Sequence, residues 1–356
     1  MRKTLLCLVS LSFIIAEIQF SGDARFRPRY DIKENSDASS TSDLYYLYRA
    51  RLNMKADIGD GWFFNTKLGT LGVAGMTKIG NFSVNDDGEE YIDNEPGILS
   101  SYRPTVSFME LYFGNKSEDW GFWAGAFPLK YNSSLDLHFY SDVLVDIPFV
   151  LLNNSSTLGF AGYKVFVGTK INWFVSVDNN VIEKTEFSDE DLQPIDDCDD
   201  FTLGMNTLLN FGSISITPRF LTSFGGMEDD IHPTTIGANI SLPNILGFDS
   251  EMSYYSSTNG EDGDDGFYEA DHMRVSLNYP FNDGKLKFFY DLASKNEDKV
   301  SYLWMSYTMP IYESDIGSVS ITPTFRLQNG KGAGTESFDE EYSRSKIEVT
   351  TQIKFK

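Results

Sequence analysis

The feature that most constrains the fold is a period-two alternation of apolar and polar side chains that recurs along the chain. In the first such segment, residues 18–32, apolar or small residues take the even positions and polar residues the odd ones. The pattern recurs in further segments, at residues 44–58, 171–177, 201–220, 273–292 and 347–355. Successive side chains of a β-strand point to opposite faces, so this alternation indicates strands with one apolar face. The sequence predicts an all-β fold of about sixteen strands, in a range of roughly 14–18.

The N-terminus departs from this alternation and is typical of a secretory signal peptide. Arg2 and Lys3 precede an apolar core over residues 5–16, the order of charged and apolar regions found in such peptides. Cleavage after Ala16 leaves a mature chain of residues 17–356, and a cleavage site as late as residue 22 stays open. The mature chain keeps a single cysteine, Cys198, so it cannot form an intramolecular disulfide.

The connections between the predicted strands come in two lengths. Short turns lie at residues 59–61, 211–213 and 282–284. Long polar loops lie at residues 84–103, 181–200, 259–266 and 329–341. This alternation is typical of an antiparallel up-and-down β-barrel in the outer membrane of a Gram-negative bacterium, where closure leaves no open strand edge in lipid. We predict one transmembrane barrel over residues 17–356, with short periplasmic turns and long acidic extracellular loops.

Charge and histidine content argue against several other functions. The chain has 52 acidic and 29 basic residues, a net charge of −23, whereas nucleic-acid binding requires a basic surface. It has only 3 histidines and lacks the motifs of serine hydrolases, zinc proteases, P-loop proteins and dinucleotide-binding proteins. We therefore predict no enzymatic activity and no cofactor. The acidic runs at residues 86–95 and 261–271 lack EF-hand spacing, which favours solvated loops over calcium sites.

Three stretches of the chain resemble bacterial porin-like barrels. Residues 20–30 (FSGDARFRPRY) are similar to a first barrel strand, and residues 48–62 (YRARLNMKADIGDGW) to a barrel hairpin. Residues 121–131 (GFWAGAFPLKY) resemble a strand of the alginate-export and phosphate-selective porins, although the Gly-Arg-Gln of those families is absent, so their substrates are not implied. Phe355, one residue from the end, resembles the terminal aromatic signal for the barrel-assembly machinery. The resemblance leaves a monomer and a homotrimer both open.

The polar phase of the first and last strands is rich in cations. Those predicted to face the lumen are Arg25, Arg27, Arg29, Arg49, Arg51, Lys55, Lys67, Arg326, Arg344, Lys346 and Lys354. Barrel closure brings the last strand beside the first, so these residues form one basic wall of a water-filled lumen. An equally weighted alternative is a structural ion-pair network with the carboxylates of Asp23, Asp31, Asp43, Asp57 and Glu348. The apolar phase is predicted to face lipid through Phe20, Phe26, Tyr30, Tyr46, Leu52, Phe288, Ile353 and Phe355.

Residues 130–157, between the fifth and sixth predicted strands, are the one long loop rich in apolar residues. This composition predicts that the loop folds into the lumen, as the third loop of the general porins that it resembles does. Asp136, Asp142 and Asp146 would then face the basic wall across a constriction. In the alternative reading, Val143–Leu152 is a further barrel strand.

These expectations predict an outer-membrane porin. It would sit in outer-membrane lipid and pass small hydrophilic solutes or ions by passive or weakly selective diffusion. Two alternatives stay open at this point. One is a closed or plugged barrel that acts as a surface adhesion or binding protein, and the other is a soluble secreted β-sandwich.

Overall fold

A computed structural model describes twelve ranges of the chain: residues 17–35, 38–70, 76–78, 83–84, 90–91, 106–128, 156–179, 200–225, 234–259, 268–295, 298–331 and 341–356. The regular secondary structure in these ranges is all β. No helix within them is long and apolar enough to cross a membrane. The predicted signal peptide of residues 1–16 and Cys198 lie outside the described residues.

The strands that carry the fold have the bounds β1 (Glu17–Asn35), β2 (Ser40–Gly59), β3 (Trp62–Thr70), β4 (Thr77–Lys78), β5 (Ser83–Val84), β6 (Glu90–Tyr91), β7 (Val106–Lys116), β8 (Trp120–Pro128), β9 (Ser156–Phe166), β10 (Thr169–Asn179), β11 (Asp200–Thr207), β12 (Leu209–Phe211), β13 (Ile214–Gly225), β14 (Thr234–Ser241), β15 (Asp249–Asn259), β16 (Tyr268–Phe281), β17 (Gly284–Lys295), β18 (Asp298–Ser314), β19 (Gly317–Lys331) and β20 (Glu341–Phe355). β3 and β4 together cross the wall once, as do β11 and β12, while β5 and β6 pair only with each other. Sixteen barrel strands result.

The barrel closes between the two ends of the chain. Each barrel strand pairs antiparallel with its neighbours in chain order, and β20 pairs with β1 from Gly22↔Phe355 to Asn35↔Tyr342. Closure leaves no open edge in the sheet, so the backbone groups of the wall are satisfied within it. The predicted all-β, up-and-down antiparallel barrel of about sixteen strands is confirmed.

The alternation in the sequence sets which side chains face outward. Outward positions carry most of the exposed large apolar side chains, and the residues predicted to face lipid occupy this phase: Phe20, Phe26, Tyr30, Tyr46, Leu52, Phe288, Ile353 and Phe355. All of them are exposed except Phe288, which is half-buried. Trp62, Trp120 and Phe122 form an aromatic group at one end of this surface, with ring centroids 5.9 Å apart. Such bands are typical of the membrane–water interface of a transmembrane barrel.

The two ends of the barrel differ in how they connect the strands. At the turn end, the connections are residues 60–61, 117–119, 167–168, 212–213, 242–248, 282–283 and 315–316. At the opposite loop end, the connections are longer, with two exceptions at residues 36–39 and 296–297. These two hairpins are short although they lie at the loop end. Asp60 and Gly61 both have positive φ, the backbone that a two-residue hairpin turn requires.

Charge divides between the strands and the loop end. The described ranges contain 24 basic and 24 acidic residues, so the strands and turns together are neutral. The segments outside them, apart from residues 1–16, carry 28 acidic and 3 basic residues. All of these segments connect strands at the loop end except residues 71–75, which carry no charge. The net charge of −23 therefore arises at one end of the molecule and not in the barrel wall.

Three prolines within strands lie where a hydrogen-bond ladder is interrupted. Pro28 falls in the gap of the β1–β20 pairing between residues 26 and 29. Pro323 falls in the gap of β18–β19 between residues 321 and 324, and Pro218 lies where the partner of β13 changes from β11 to β12. A proline has no backbone N–H to donate, so each occupies a position where the neighbouring strand makes no ladder bond. This explains the repeated Ser-Ile-Thr-Pro segments at residues 215–218 and 320–323.

Candidate functional site

The candidate site is a set of charged side chains on the inner face of four neighbouring strands, β19, β20, β1 and β2. The alternation that turns Phe26 and Tyr30 outward turns the arginines between them inward. Cross-strand register then places charges side by side, with Arg326 opposite Lys346 and Lys346 opposite Asp31. We call this set the arginine cluster: Arg25, Arg27, Arg29, Arg49, Arg51, Arg326, Arg344 and Lys346 with Asp23, Asp31 and Glu348.

Asp23 holds the part of the cluster nearest the turn end. Its carboxylate accepts from Arg49 Nη2 at 2.8 Å and from Arg51 Nε at 2.7 Å, both on the neighbouring β2. Arg25 Nε lies 3.5 Å from the same carboxylate. One acid therefore serves three guanidinium groups, and about a quarter of the Arg25 and Arg51 side chains (27% and 22%) remains exposed.

Glu348 holds the middle of the cluster and has no exposed side-chain surface. It accepts from Arg29 Nε at 2.8 Å and from Arg326 Nη2 at 2.5 Å, and it lies 3.6 Å from Arg27 Nε. These arginines come from β1 and β19, on the two sides of β20, so Glu348 ties three strands together across the barrel closure. Charge-assisted hydrogen bonds of this kind are stronger than neutral ones.

Asp31 holds the part of the cluster nearest the loop end. Arg344 donates to both of its carboxylate oxygens, at 2.8 and 2.7 Å, in a bidentate pair. Lys346 Nζ lies 3.6 Å away, and Tyr45 donates its hydroxyl hydrogen at 3.3 Å while accepting from Arg29 Nη1 at 3.1 Å. Tyr45 therefore links the Asp31 and Glu348 parts of the cluster.

The predicted ion-pair network describes part of this geometry. Three of the five predicted carboxylates do pair with the arginines, but Asp43 is exposed and Asp57 accepts from the backbone N–H of Gly59 at 2.9 Å. Eight cations share three carboxylates, so the cluster has a formal excess of five positive charges. These ion pairs fix the positions of the arginines, and within the cluster as defined the cations outnumber the carboxylates.

The remaining predicted cations lie apart from the cluster. Lys67 pairs with Glu110 of the neighbouring β7, and Lys55 and Lys354 are exposed near the turn end. The predicted constriction residues Asp136, Asp142 and Asp146 lie outside the described residues. Their loop does connect the fifth and sixth barrel strands, as predicted, because β8 ends at residue 128 and β9 begins at residue 156. β8 pairs directly with β9, and Val143–Leu152, the alternative further strand, lies outside the described residues.

A second charged group on the inner face was missed by the sequence analysis. Arg274 makes a bidentate pair with Asp291 at 2.5 and 2.6 Å, and its guanidinium carbon lies 4.3 Å from the centre of the Phe289 ring. Phe289 stacks on Trp304 at 5.4 Å, and the Arg326 guanidinium lies 4.0 Å above Trp304. The signal was present in the sequence, because the apolar phase of β16 and β17 leaves Arg274 and Asp291 on the inner face.

A different lining covers the inner face of the strands between β3 and β13. We call it the aromatic wall: Phe63, Tyr112, Trp123, Phe127, Tyr163 and Phe174, with Ala161 and Leu221. Several rings lie over glycines of the next strand, as Tyr163 does over Gly121 and Phe174 over Gly204. A side chain at either glycine would collide with the ring above it, so the glycine lets the ring lie flat on the sheet.

No protein-family model and no curated protein matches the chain in sequence. Solved structures match its fold over nearly its whole length. An anion-selective porin from Comamonas acidovorans superposes with a TM-score of 0.58 at 12% identity, covering 95% of this chain and 100% of that one. The trimer form of OmpT, an outer membrane protein of Vibrio cholerae, gives 0.52 at 11% identity, covering 96% and 99%. A mutant of the Rh. blastica porin gives 0.52 at 12% identity, covering 95% and 100%. At such identities the likeness shows a shared fold, the sixteen-stranded porin barrel.

Proposed function

We propose that this protein is an outer-membrane porin that passes small hydrophilic solutes and favours anions. The observation that carries the proposal is the arginine cluster, in which eight cations share three carboxylates on the inner face of a closed barrel. A positive wall lowers the energy of an anion in the lumen and raises that of a cation. The neighbour from Comamonas acidovorans is described as anion-selective, which agrees with this preference.

The outer surface supports the membrane location. Exposed Phe, Leu, Ile and Val side chains cover the outward phase, and an aromatic band lies at the turn end. A soluble sandwich would bury such surface, whereas a barrel in lipid needs it. We further propose that residues 130–157 narrow the lumen and that the long acidic loops face the outside of the cell. Since OmpT of Vibrio cholerae has a trimer form, a homotrimer is the assembly proposed here.

The test is single-channel recording in planar bilayers under a potassium chloride gradient. The wild-type barrel is expected to conduct with a reversal potential on the anion-selective side. Arg49→Ala and Arg51→Ala should each shift the reversal potential toward cations, because each removes a positive charge near Asp23. Lys164→Gln is the matched control, since Lys164 is an exposed cation on the outward phase of β9.

Two outcomes would count against the proposal. Correctly folded barrels that insert without conducting would favour a plugged barrel acting as a binding protein. The second outcome is that Arg49→Ala, Arg51→Ala and a deletion of residues 133–148 all conduct with the selectivity of the wild type. Neither the charged wall nor the constriction loop would then determine selectivity. Heat-modifiable migration on gels establishes beforehand that each variant has formed a barrel.

A further inference from the structure

A groove of about 840 Å³ lies on the outer face of the barrel, at the loop end of β15 to β20 and β1. Most of its lining comes from two rows of outward residues that pair across these strands. The row nearer the loop end is Asp271, Ser294, Lys299, Lys331 and Glu341. The next row is Met273, Leu292, Ser301, Asn329, Ser343 and Glu34. The porin mechanism proposed above does not use this surface, because it faces away from the lumen.

Two lysines occupy the centre of the row nearer the loop end. Lys299 of β18 and Lys331 of β19 are direct cross-strand partners, and both side chains are exposed. In the ranges that the structure describes, neither forms an ion pair. Like charges directly opposite each other in a sheet are destabilising. A phosphate that meets both ammonium groups would relieve this repulsion and accept charge-assisted hydrogen bonds from them.

The carboxylates that flank the lysines restrict the headgroup that fits. Glu341 of β20 is the cross-strand partner of Lys331, and Asp271 lies two strands from Lys299 on the other side. Asp271 accepts from the Tyr254 hydroxyl at 2.6 Å, whereas the Glu341 side chain forms no ion pair within the described part of the chain. Neighbouring strands lie about 4.8 Å apart, which is close to the separation of phosphate and ammonium in an ethanolamine phosphate. A headgroup with both charges can therefore meet the lysines with its phosphate and Glu341 with its ammonium group.

Toward the turn end, the same outer face becomes apolar. A second groove, of about 540 Å³, lies on β16 to β20. Its outward lining includes Leu277, Leu286, Phe288, Met305, Phe325 and Ile347. On β17, Leu292 of the first groove and Phe288 of the second are four residues apart, about 13 Å along the strand. An acyl chain covers this distance, so one lipid can reach both grooves.

We infer that this outer surface binds a lipid whose headgroup carries a phosphate and an ammonium group. The phosphate meets Lys299 and Lys331, the ammonium group meets Glu341, and an acyl chain lies in the second groove. The inference rests on the membrane location and goes beyond the proposed porin function, because the lumen takes no part in it. A lipid held in this way ties β18, β19 and β20 to the membrane surface at the loop end.

The test is native mass spectrometry of the full-length refolded barrel with added lipids. The probes are phosphatidylethanolamine, phosphatidylglycerol, which lacks the amine, and diacylglycerol, which lacks the phosphate as well. The wild type is expected to bind one phosphatidylethanolamine more tightly than either other lipid. Lys299→Gln and Lys331→Gln should each weaken its binding about threefold to tenfold, the loss expected for one partly solvated charge pair. Lys164→Gln, an exposed outward lysine of β9 away from both grooves, is the matched control and should bind as the wild type does.

Two further variants examine the amine and the groove separately. Glu341→Gln should weaken binding of phosphatidylethanolamine and should not weaken that of phosphatidylglycerol. Ser301→Trp keeps every charge but fills the first groove, so it should reduce binding of both lipids. Ser301 is on the outward phase of β18, and heat-modifiable migration on gels establishes that each variant has formed a barrel.

The outcomes distinguish this inference from the proposed function. Equal binding of phosphatidylethanolamine by the wild type, Lys299→Gln, Lys331→Gln and Ser301→Trp would overturn the lipid site, whether or not the barrel conducts. Phosphatidylglycerol bound as tightly as phosphatidylethanolamine would overturn the assignment of an ammonium group to Glu341. A wild-type barrel that binds the lipid as expected but does not conduct would overturn the porin function alone. The lysine variants should keep the reversal potential of the wild type, because neither lysine faces the lumen.

Discussion

The arginine cluster and the aromatic wall both bury side chains on the inner face but are stabilised in opposite ways. Glu348 has no exposed side-chain surface, and Phe174 is 1% exposed. In the cluster, water is replaced by ion pairs that cross from strand to strand. In the aromatic wall, it is replaced by rings that lie flat over glycines. The comparison shows that ion pairs hold the inner face together in the arginine cluster, whereas close packing of rings on glycines does so in the aromatic wall.

The two sectors should respond differently to the loss of one group. Removing a member of the arginine cluster leaves buried charge without its partner, which is more costly than the interaction itself is favourable. Removing a ring from the aromatic wall leaves space that its neighbours fill in part. The loss of a charged group should therefore destabilise several neighbouring strands, whereas the loss of a ring should affect only its immediate contacts.

The largest effect is expected for Glu348→Ala. Arg29 and Arg326 would lose their carboxylate in a site without solvent, at a cost of about 3–5 kcal/mol in the free energy of unfolding. Urea unfolding of the refolded barrel, followed by heat-modifiable migration, measures this loss. Glu348→Gln keeps the side-chain volume and one acceptor oxygen. Its free energy of unfolding should therefore lie between those of the wild type and of Glu348→Ala. A Glu348→Ala variant as stable as the wild type would show that the cluster does not depend on this carboxylate.

A smaller loss of stability is expected for Leu52→Arg, which lies on the outer face of the barrel. Leu52 is an exposed apolar residue on the outward phase of β2, so an arginine there would enter lipid at about 2–4 kcal/mol if it lies near the midplane. The same substitution one residue along, Asn53→Arg, points inward and serves as the control. The measurement is the yield and stability of folded barrel in lipid vesicles. Equal losses in the two variants would contradict the assignment of the faces.

Gly204→Ala sharpens the comparison from the side of the aromatic wall. The added methyl group would collide with the ring of Phe174, and overpacking of this kind costs about 1–3 kcal/mol. Phe174→Leu in the same chain should recover part of the loss, because the ring is the obstacle. Urea unfolding of the two single variants and the double variant forms a double-mutant cycle. If the two substitutions show no coupling energy, the loss in Gly204→Ala does not come from a collision with Phe174.

The smallest effect on stability is expected for Arg25→Gln. Arg25 lies 3.5 Å from Asp23 and is 27% exposed, and such partly solvated ion pairs contribute about 1 kcal/mol or less. The reversal potential in a salt gradient should nevertheless move toward cations, because a lumenal charge is lost. Stability that falls as far as in Glu348→Ala would mean that the cluster does not divide into a buried and an exposed part.

Much of the fold was predictable because the alternation of side chains is a local property. The phase of residues 18–32 alone distinguishes the outward Phe26 and Tyr30 from the inward arginines between them. The pairs were not predictable, since Asp23 and Glu348 acquire their partners only through the register across β2 and across the barrel closure. Asp43 and Asp57 have the same sequence pattern as Asp31 but make no ion pair to the cluster in the described ranges.

The aromatic wall escaped the sequence analysis for a different reason. Residues 120–127 are apolar or glycine on both phases, so periodicity cannot tell the outward Trp120 and Phe122 from the inward Trp123 and Phe127. The glycines in this stretch predict close approach of another group but do not say which one. The rings of Tyr163 and Phe174 meet Gly121 and Gly204 only once neighbouring strands are paired.

Rings that lie over glycines also bear on how the calibre of such a barrel can change. Tyr255 over Gly237 and Tyr342 over Gly330 repeat the arrangement in two other sectors, so flat rings recur around the circumference. One methyl group added at such a glycine would tilt a ring toward the axis and narrow the passage by a fraction of the ring's width. No charged residue need change for this to happen. If the proposed porin function holds, size cut-off and ion preference are separate traits in this barrel, each accessible to single substitutions that leave the other alone.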